Sequence, residues 1–104
     1  MSSEAQTPDS DLLTDSDQQV QEPHLYKVIL LNDDFTPMDF VVKLLVDVFR
    51  KSTAEATRIM LNVHQQGRGL CGIFPFDIAE TKVALVNQHA RGSGYPLKCT
   101  LERA

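Results

Sequence analysis

Apolar residues follow two kinds of pattern along the chain, one typical of strands and the other typical of helices. The run from Leu25 to Leu31 is nearly continuous in apolar and β-favouring residues, which predicts a mostly buried strand. A second apolar run from Leu70 to Phe74 predicts another strand. The segment from Leu97 to Leu101 alternates apolar and polar residues, as a half-buried strand does.

Three helices are predicted between these strands, each with a recognisable start. Thr36 can cap the first helix, Pro37 suits its first helical position, and Asp39 has the spacing of a capping box. Ser52 and Glu55 form a second capping box. The third helix is expected to begin at Pro75 and Asp77, residues that are favourable in a first turn.

Apolar spacing and stop signals fix how far these helices run. The first has a wide apolar face that ends near Phe49, and the second is expected to run to about Gln66, where Gly67 suits a left-handed C-terminal position. The third repeats apolar residues at helical spacing and ends at Arg91 and Gly92. The element order is therefore β-α-α-β-α-β. It predicts an α+β fold in which three helices cover one face of a three-stranded antiparallel sheet.

Charge divides the chain into two parts. The first 25 residues contain six acids and no Lys or Arg, whereas the remaining 79 contain eight acids and all ten basic residues. Residues 1–23 are polar and have few large apolar groups, so we predict a disordered acidic N-terminal extension. The folded domain is predicted to span residues 24–104.

The composition also argues against several classes of protein. No run of 18 apolar residues is present, so no transmembrane helix is expected, and the N-terminus lacks the features of a signal peptide. Two cysteines are too few for a disulfide framework, which favours a cytoplasmic protein with reduced thiols. Basic residues form no concentrated stripe, so neither nucleic acid nor membrane is an expected partner.

The strongest candidate for chemistry is the run Asn32-Asp33-Asp34, where the first strand meets the first helix. One interpretation is a polar turn, because such side chains bind nearby backbone. The other is a cation site, since a carboxylate and an amide oxygen can accept N–H bonds from an ammonium group. The run alone leaves both open.

Two further candidates lie at helical positions. His64 lies on the same side of its helix as Met60 and Val63. It is either a packing residue or a neutral imidazole that accepts a hydrogen bond at one ring nitrogen and donates one from the other. Met38 lies in the first turn of its helix, four residues after Asp34, where a pocket rim is plausible. The alternative for the methionines is an ordinary core position.

Metal and nucleophile sites have weaker support. Asp33, Asp34 and His64 could supply metal ligands, but no close His or Cys spacing accompanies them. No Ser or Cys lies in a nucleophile turn, and we interpret Cys71 and Cys99 as small core residues. No metal, cofactor or enzymatic activity is therefore predicted.

The same residues resemble the signature of the ClpS adaptor family. The pattern N-D-D-x-T-P-M, followed by M-x-x-V-H-x-x-G, is long and specific, and the similarity covers nearly all of residues 24–104. The matching runs are Tyr26–Val41, Met60–Gly67, Cys71–Phe74, Ala79–Val83 and Pro96–Glu102.

The resemblance implies a non-enzymatic bacterial adaptor, expected to be a monomer, for the ClpA–ClpP protease. It implies recognition of proteins whose first residue is Leu, Phe, Tyr or Trp (N-degrons). Asn32, Asp33 and His64 would hold the α-ammonium and first peptide group, with Asp34 supporting the turn. The side-chain pocket would be lined by Met38, Val41, Met60, Val63 and Leu97, with Thr36 at its mouth. The N-domain of the unfoldase, which is either ClpA or a ClpC-like protein, would dock on Asp77, Glu80 and Lys82, and the N-terminal extension would take part in delivery.

Two other functions remain open at this point. One is a structural interaction domain without an N-terminal-residue pocket, similar in fold to the C-terminal domain of the ribosomal stalk protein. The other is a small metal-dependent hydrolase, for which elemental analysis would detect the metal.

Overall fold

A computed structural model describes residues 24–104, which form three strands and three helices in the predicted order. The predicted extension, residues 1–23, lies outside the described residues. No helix in the described part is long and apolar enough to cross a membrane. The elements are β1 (Leu25–Leu31), α1 (Met38–Phe49), α2 (Thr53–Gln66), β2 (Arg68–Pro75), α3 (Phe76–Gly92) and β3 (Lys98–Arg103).

The three strands form one antiparallel sheet in the order β2-β1-β3. This confirms the predicted α+β class, and the central place of β1 explains its nearly continuous apolar sequence. Both edge strands are longer than predicted. Arg68 pairs with Leu31, and Arg103 pairs with Tyr26. The backbone of β1 thus offers hydrogen-bond partners to residues whose own sequence shows no strand pattern.

All three helices pack on one face of the sheet. Val28 and Leu30 of β1 are fully buried there, and the alternate β1 residues point to the opposite face. One cysteine from each edge strand joins this core, as predicted. The buried cluster comprises Val28, Leu30, Val41, Leu44, Leu45, Val48, Phe49, Ala56, Ile59, Met60, Val63, Cys71, Ala79, Val86, Ala90, Leu97 and Cys99.

The helix starts match the predictions only in part. The Oγ atom of Ser52 accepts a hydrogen bond from the backbone N–H of Glu55, at 3.1 Å, so the predicted cap of α2 is confirmed. The predicted capping box at Thr36 is wrong. The N-cap of α1 is Pro37, without a side-chain cap bond, because the Thr36 hydroxyl donates to Asp33 instead.

One close approach sets the position of α2 against the sheet. A Cβ atom on Gly69 of β2 would lie 2.6 Å from Cγ2 of Val63 and 3.2 Å from the carbonyl oxygen of Ile59. Only glycine therefore allows α2 to pack this close to β2. The turn between the two elements is made by Gly67, whose φ of +88° is left-handed, as predicted.

Candidate functional site

The polar run after β1 is fixed against the end of α2. The backbone N–H of Asn32 donates to the carbonyl oxygen of Gly67, at 2.9 Å. Gly67 directly ends α2, which bears His64 one turn earlier. The turn and the histidine, 30 residues apart in sequence, therefore line one cavity.

Asp33 is the residue that holds this turn together. Its Oδ1 atom accepts hydrogen bonds from the backbone N–H groups of Phe35 and Thr36, each at 2.8 Å. Its Oδ2 atom accepts a third from the Thr36 hydroxyl, at 2.7 Å. Partial burial alone would raise the pKa of the Asp33 carboxyl, but these hydrogen bonds outweigh it, and the pKa lies below its usual value. Asp33 is thus an ionised carboxylate whose bonds close the turn.

Asp34 has different surroundings. It is exposed, it borders the cavity, and its carboxylate makes no hydrogen bond or ion pair to any other described residue. Its oxygens are therefore the carboxylate acceptors available to a ligand here. The resemblance assigned the supporting role to Asp34 and the ligand role to Asp33. In the structure the hydrogen bonds that close the turn are accepted by Asp33, and the ligand role of either acid stays a prediction.

The cavity has a volume of about 210 Å³ and joins a polar end to an apolar end. Pockets for drug-sized molecules are usually ~300–1,000 Å³. This one is therefore suited to a single side chain and its neighbouring polar group. It is lined by Asn32, Asp33, Asp34, Thr36, Met38, Val41, Met60, Val63 and His64.

These nine lining residues are all candidates that the sequence predicted, and they come from α1, α2 and the loop after β1. The tenth, Leu97, lies in the core with 5% of its surface exposed and does not line this cavity. Its role as a pocket wall stays a prediction.

Met38 separates the cavity from a second, larger space. A groove of about 600 Å³ runs between α1 and α2, and Met38 and Met60 border both spaces. Met38 is 44% exposed, so it forms a rim and does not belong to the core. Truncating it would join the two spaces.

The predicted docking residues lie on α3, away from the cavity. Asp77 and Glu80 are exposed, but Lys82 is half-buried. The Nζ atom of Lys82 donates to the carbonyl oxygen of Val48, at 2.7 Å, near the end of α1. It also lies 5.8 Å from the ring centroids of both Phe49 and Phe74. Lys82 therefore links α3 to α1.

Two residues relevant to the site were not among the sequence candidates. Gly69 sets the position of α2, yet a glycine just before the predicted strand gives no signal of a close packing contact. Phe35 is 77% exposed beside the polar turn, and one exposed aromatic has no periodic pattern that would distinguish it.

A metal centre has no support in residues 24–104, where no three His, Cys, Asp or Glu side chains are placed to hold an ion. Burial, together with repulsion from Cys99, raises the pKa of the Cys71 thiol, and burial raises that of Cys99 to about 12. Neither thiol has the lowered pKa of a reactive cysteine.

Comparison with known proteins identifies the family. The model of the family described as ATP-dependent Clp protease adaptor protein ClpS matches residues 21–100. The chain belongs to the ClpS family. Two similar relatives are the ATP-dependent Clp protease adapter proteins ClpS of Shewanella piezotolerans and Shewanella loihica. Each is 59% identical over 86 residues, which cover 83% of this chain and 84% of the relative.

A solved ClpS structure has the same fold. The structure of Agrobacterium tumefaciens ClpS2 bound to L-phenylalaninamide superposes with a TM-score of 0.78. It is 41% identical to this chain and covers 80% of this chain and 100% of its own length. The two Shewanella relatives are named as protease adapters, which agrees with the predicted class of function.

Proposed function

We propose that this chain is a non-enzymatic adaptor that binds proteins beginning with Leu, Phe, Tyr or Trp and delivers them to the Clp protease. The observation that carries the proposal is the two-ended cavity. Acceptors for an ammonium group lie at one end, and apolar walls for a single side chain lie at the other. A protein N-terminus presents these two groups on one Cα atom.

The polar end is suited to a free α-ammonium. That group has a pKa near ~7.7–8.0, so it is mostly charged at neutral pH. The Asp34 carboxylate, the Asn32 amide oxygen and the His64 imidazole are its acceptors, while Asp33 holds the turn. An internal peptide bond has no ammonium, so it would leave these acceptors unpaired and be rejected.

The apolar end is suited to a large side chain without a charge. Val41 and Val63 are buried walls, while Met38 and Met60 are flexible and can adapt to aliphatic or aromatic shapes. The ligand of the A. tumefaciens ClpS2 structure, L-phenylalaninamide, combines a free α-amino group with an aromatic side chain. Its chemistry supports the same division of the site in this chain.

The protease side of the proposal rests on α3 and on the N-terminal extension. We assign docking of the ClpA N-domain to the exposed acids Asp77 and Glu80. The ammonium group of Lys82 is bonded within the domain, so Lys82 acts by positioning α3. The proposed adaptor is a cytoplasmic monomer, and the extension, residues 1–23, acts in delivery.

Fluorescence anisotropy with labelled peptides tests the recognition step. Peptides beginning with Leu, Phe, Val or Met are each prepared with a free and with an acetylated N-terminus. We expect the free Leu and Phe peptides to bind most tightly and acetylation to weaken binding at least tenfold. If the acetylated Leu peptide binds as well as the free one, the ammonium site is wrong. If no peptide binds, the chain is an interaction domain without this pocket.

A further inference from the structure

The face of the sheet opposite the helices has no partner within the described residues. Its side chains come from alternate positions of the three strands, which the pairing register places side by side. On β1 it presents Leu25, Lys27, Ile29 and Leu31. On the edge strands it presents Arg68, Leu70, Ile73, Pro75, Lys98, Thr100 and Glu102.

The centre of this outer face is apolar and partly covered. Ile29 is 3% exposed although it does not belong to the core cluster on the helix side. Arg68 and Glu102 form an ion pair of 2.6 Å that joins the two edge strands. Since Arg68 pairs with Leu31 and Glu102 with Lys27, this bridge crosses over Ile29. Leu70 and Ile73 beside it are 43% and 46% exposed.

The outer face has a net positive charge, whereas in the rest of residues 24–104 seven acids are balanced by seven Lys and Arg residues. Lys27, Arg68 and Lys98 lie on it with a single acid, Glu102, which is already paired with Arg68. Neither lysine forms an ion pair with another described residue. The other acids of residues 24–104 lie on the helices and on the loop before α1: Asp33, Asp34, Asp39, Asp47, Glu55, Asp77 and Glu80.

We infer that the outer face of the sheet docks the chain's own acidic segment, residues 4–22, through Lys27 and Lys98 and the apolar surface between them. The segment contains six acids and no Lys or Arg, together with Leu12, Leu13 and Val20. Its charge and its apolar residues thus complement both features of the face. The rest of residues 24–104 has no net charge and would attract the segment less.

The geometry of the connection allows this docking. The segment joins the domain at β1, the central strand of the face. A strand of seven residues is ~23 Å long, whereas 20 extended residues reach ~70 Å, so the segment can turn back over the whole face. Covalent attachment also gives the segment a local concentration of the order of mM, so weak individual contacts suffice.

A paramagnetic label in the segment tests this inference. In the full-length variant Ser10→Cys, a nitroxide reacts selectively with the new thiol, because Cys71 and Cys99 are buried and have raised pKa values. We expect the amide signals of Leu70, Ile73 and Thr100 to broaden, while those of Leu61 and Gln88 on the helices stay sharp. At 1 M NaCl, where the screening length falls to ~3 Å, the broadening should drop at least twofold.

Two charge variants with matched net charge complete the test. The first is the double variant Lys27→Gln/Lys98→Glu, which changes the charge of the outer face. The second is the double variant Lys43→Gln/Arg91→Glu, which makes the same change in charge on the helix side. The first should reduce the broadening at least twofold, and the second should leave it unchanged. Three outcomes would overturn the inference. The first is broadening of the helix signals, and the second is broadening that neither salt nor the face variant reduces. The third is broadening that arises only between chains, seen in unlabelled protein mixed with labelled protein. The last result would indicate a second copy as the occupant.

Discussion

At the scale of single residues, Asp33 and Asp34 are adjacent carboxylates with different surroundings. The three hydrogen bonds accepted by Asp33 close the turn, whereas Asp34 borders the cavity with free oxygens. Sequence alone cannot separate them, since both follow Asn32 in a run that favours turns. Only the hydrogen bonds in the folded chain distinguish the two carboxylates.

The first prediction separates the two acids by mutation. Asp34→Ala should weaken binding of a free Leu peptide tenfold or more without changing the free energy of unfolding, since a hydrogen bond to a charged group contributes ~1.5–3 kcal/mol. Asp33→Asn should lower the free energy of unfolding by about 1 kcal/mol. Peptide anisotropy and urea denaturation measure both effects. Equal effects of the two substitutions on binding and on stability would contradict this assignment.

The second prediction concerns the pH dependence that follows from Asp33. Its pKa in the folded chain lies below the ordinary value of 3.8, so the carboxylate contributes stability above that value and loses it as the pH falls through the folded pKa. Asn does not titrate. The difference in unfolding free energy between wild type and Asp33→Asn should therefore be constant from pH 5 to 7 and shrink below about pH 4. A constant difference down to pH 2 would show that the Asp33 carboxylate is not the stabilising group.

The third prediction is that Met38 sets selectivity against β-branched first residues. Val and Ile have a second heavy atom on Cβ and are stiff at χ1, so they cannot turn away from a wall near the backbone. Met38→Ala joins the cavity to the groove and should improve binding of Val and Ile peptides. Leu and Phe peptides should lose affinity, at ~0.8 kcal/mol for each buried methylene.

The quantity to measure is the ratio of Leu to Ile affinity in wild type and in Met38→Ala. Leu61→Ala is the control, because Leu61 on α2 is exposed to a similar extent as Met38 but does not border the cavity. An unchanged ratio in Met38→Ala would assign the selectivity to Met60 instead.

At the scale of elements, the apolar pattern predicted all six helices and strands and their order, because burial on one face leaves a period in the sequence. The apolar pattern predicted the ends of elements less well, because strand pairing and competition between hydrogen-bond partners determine where an element begins. β2 begins at Arg68 because β1 offers a partner there, not because Arg68 favours strands. Thr36 fits the rule for an N-cap, yet Asp33 takes its hydroxyl. Such outcomes depend on neighbours that a linear pattern does not contain.

The fourth prediction tests how α2 is positioned. In Gly69→Ala, the new methyl group meets Val63 and the backbone of Ile59, so α2 must move away from β2. Overpacking of this kind costs ~1–3 kcal/mol, and displacement of Val63 and His64 should also weaken Leu-peptide binding. Gly92→Ala is the control, because nothing lies within 4 Å of its added Cβ and it ends α3. If Gly69→Ala keeps wild-type stability and affinity, α2 does not depend on this contact.

At the scale of the whole molecule, the two faces of the domain differ in the groups they present. The helix side bears the candidate cavity and the exposed acids of α3, while the outer face of the sheet bears two lysines without ion pairs among the described residues, together with apolar residues. A segment docked on the outer face would not obstruct the cavity. Recognition of a substrate and the action of the extension should therefore be separable.

The fifth prediction follows from this separation. Deleting residues 1–20 should leave the affinity for a Leu peptide unchanged, since every cavity residue lies between Asn32 and His64. Degradation of a protein beginning with Leu by ClpA–ClpP should slow several-fold, because a tethered segment acts on the unfoldase at high effective concentration. A control chain carries the same 20 residues in scrambled order, which keeps length and charge. If the scrambled chain delivers at the wild-type rate and the truncated one does not, length and charge are sufficient for delivery. If the truncated chain itself delivers at the wild-type rate, the extension has no part in delivery, and the domain of residues 24–104 must engage the unfoldase alone.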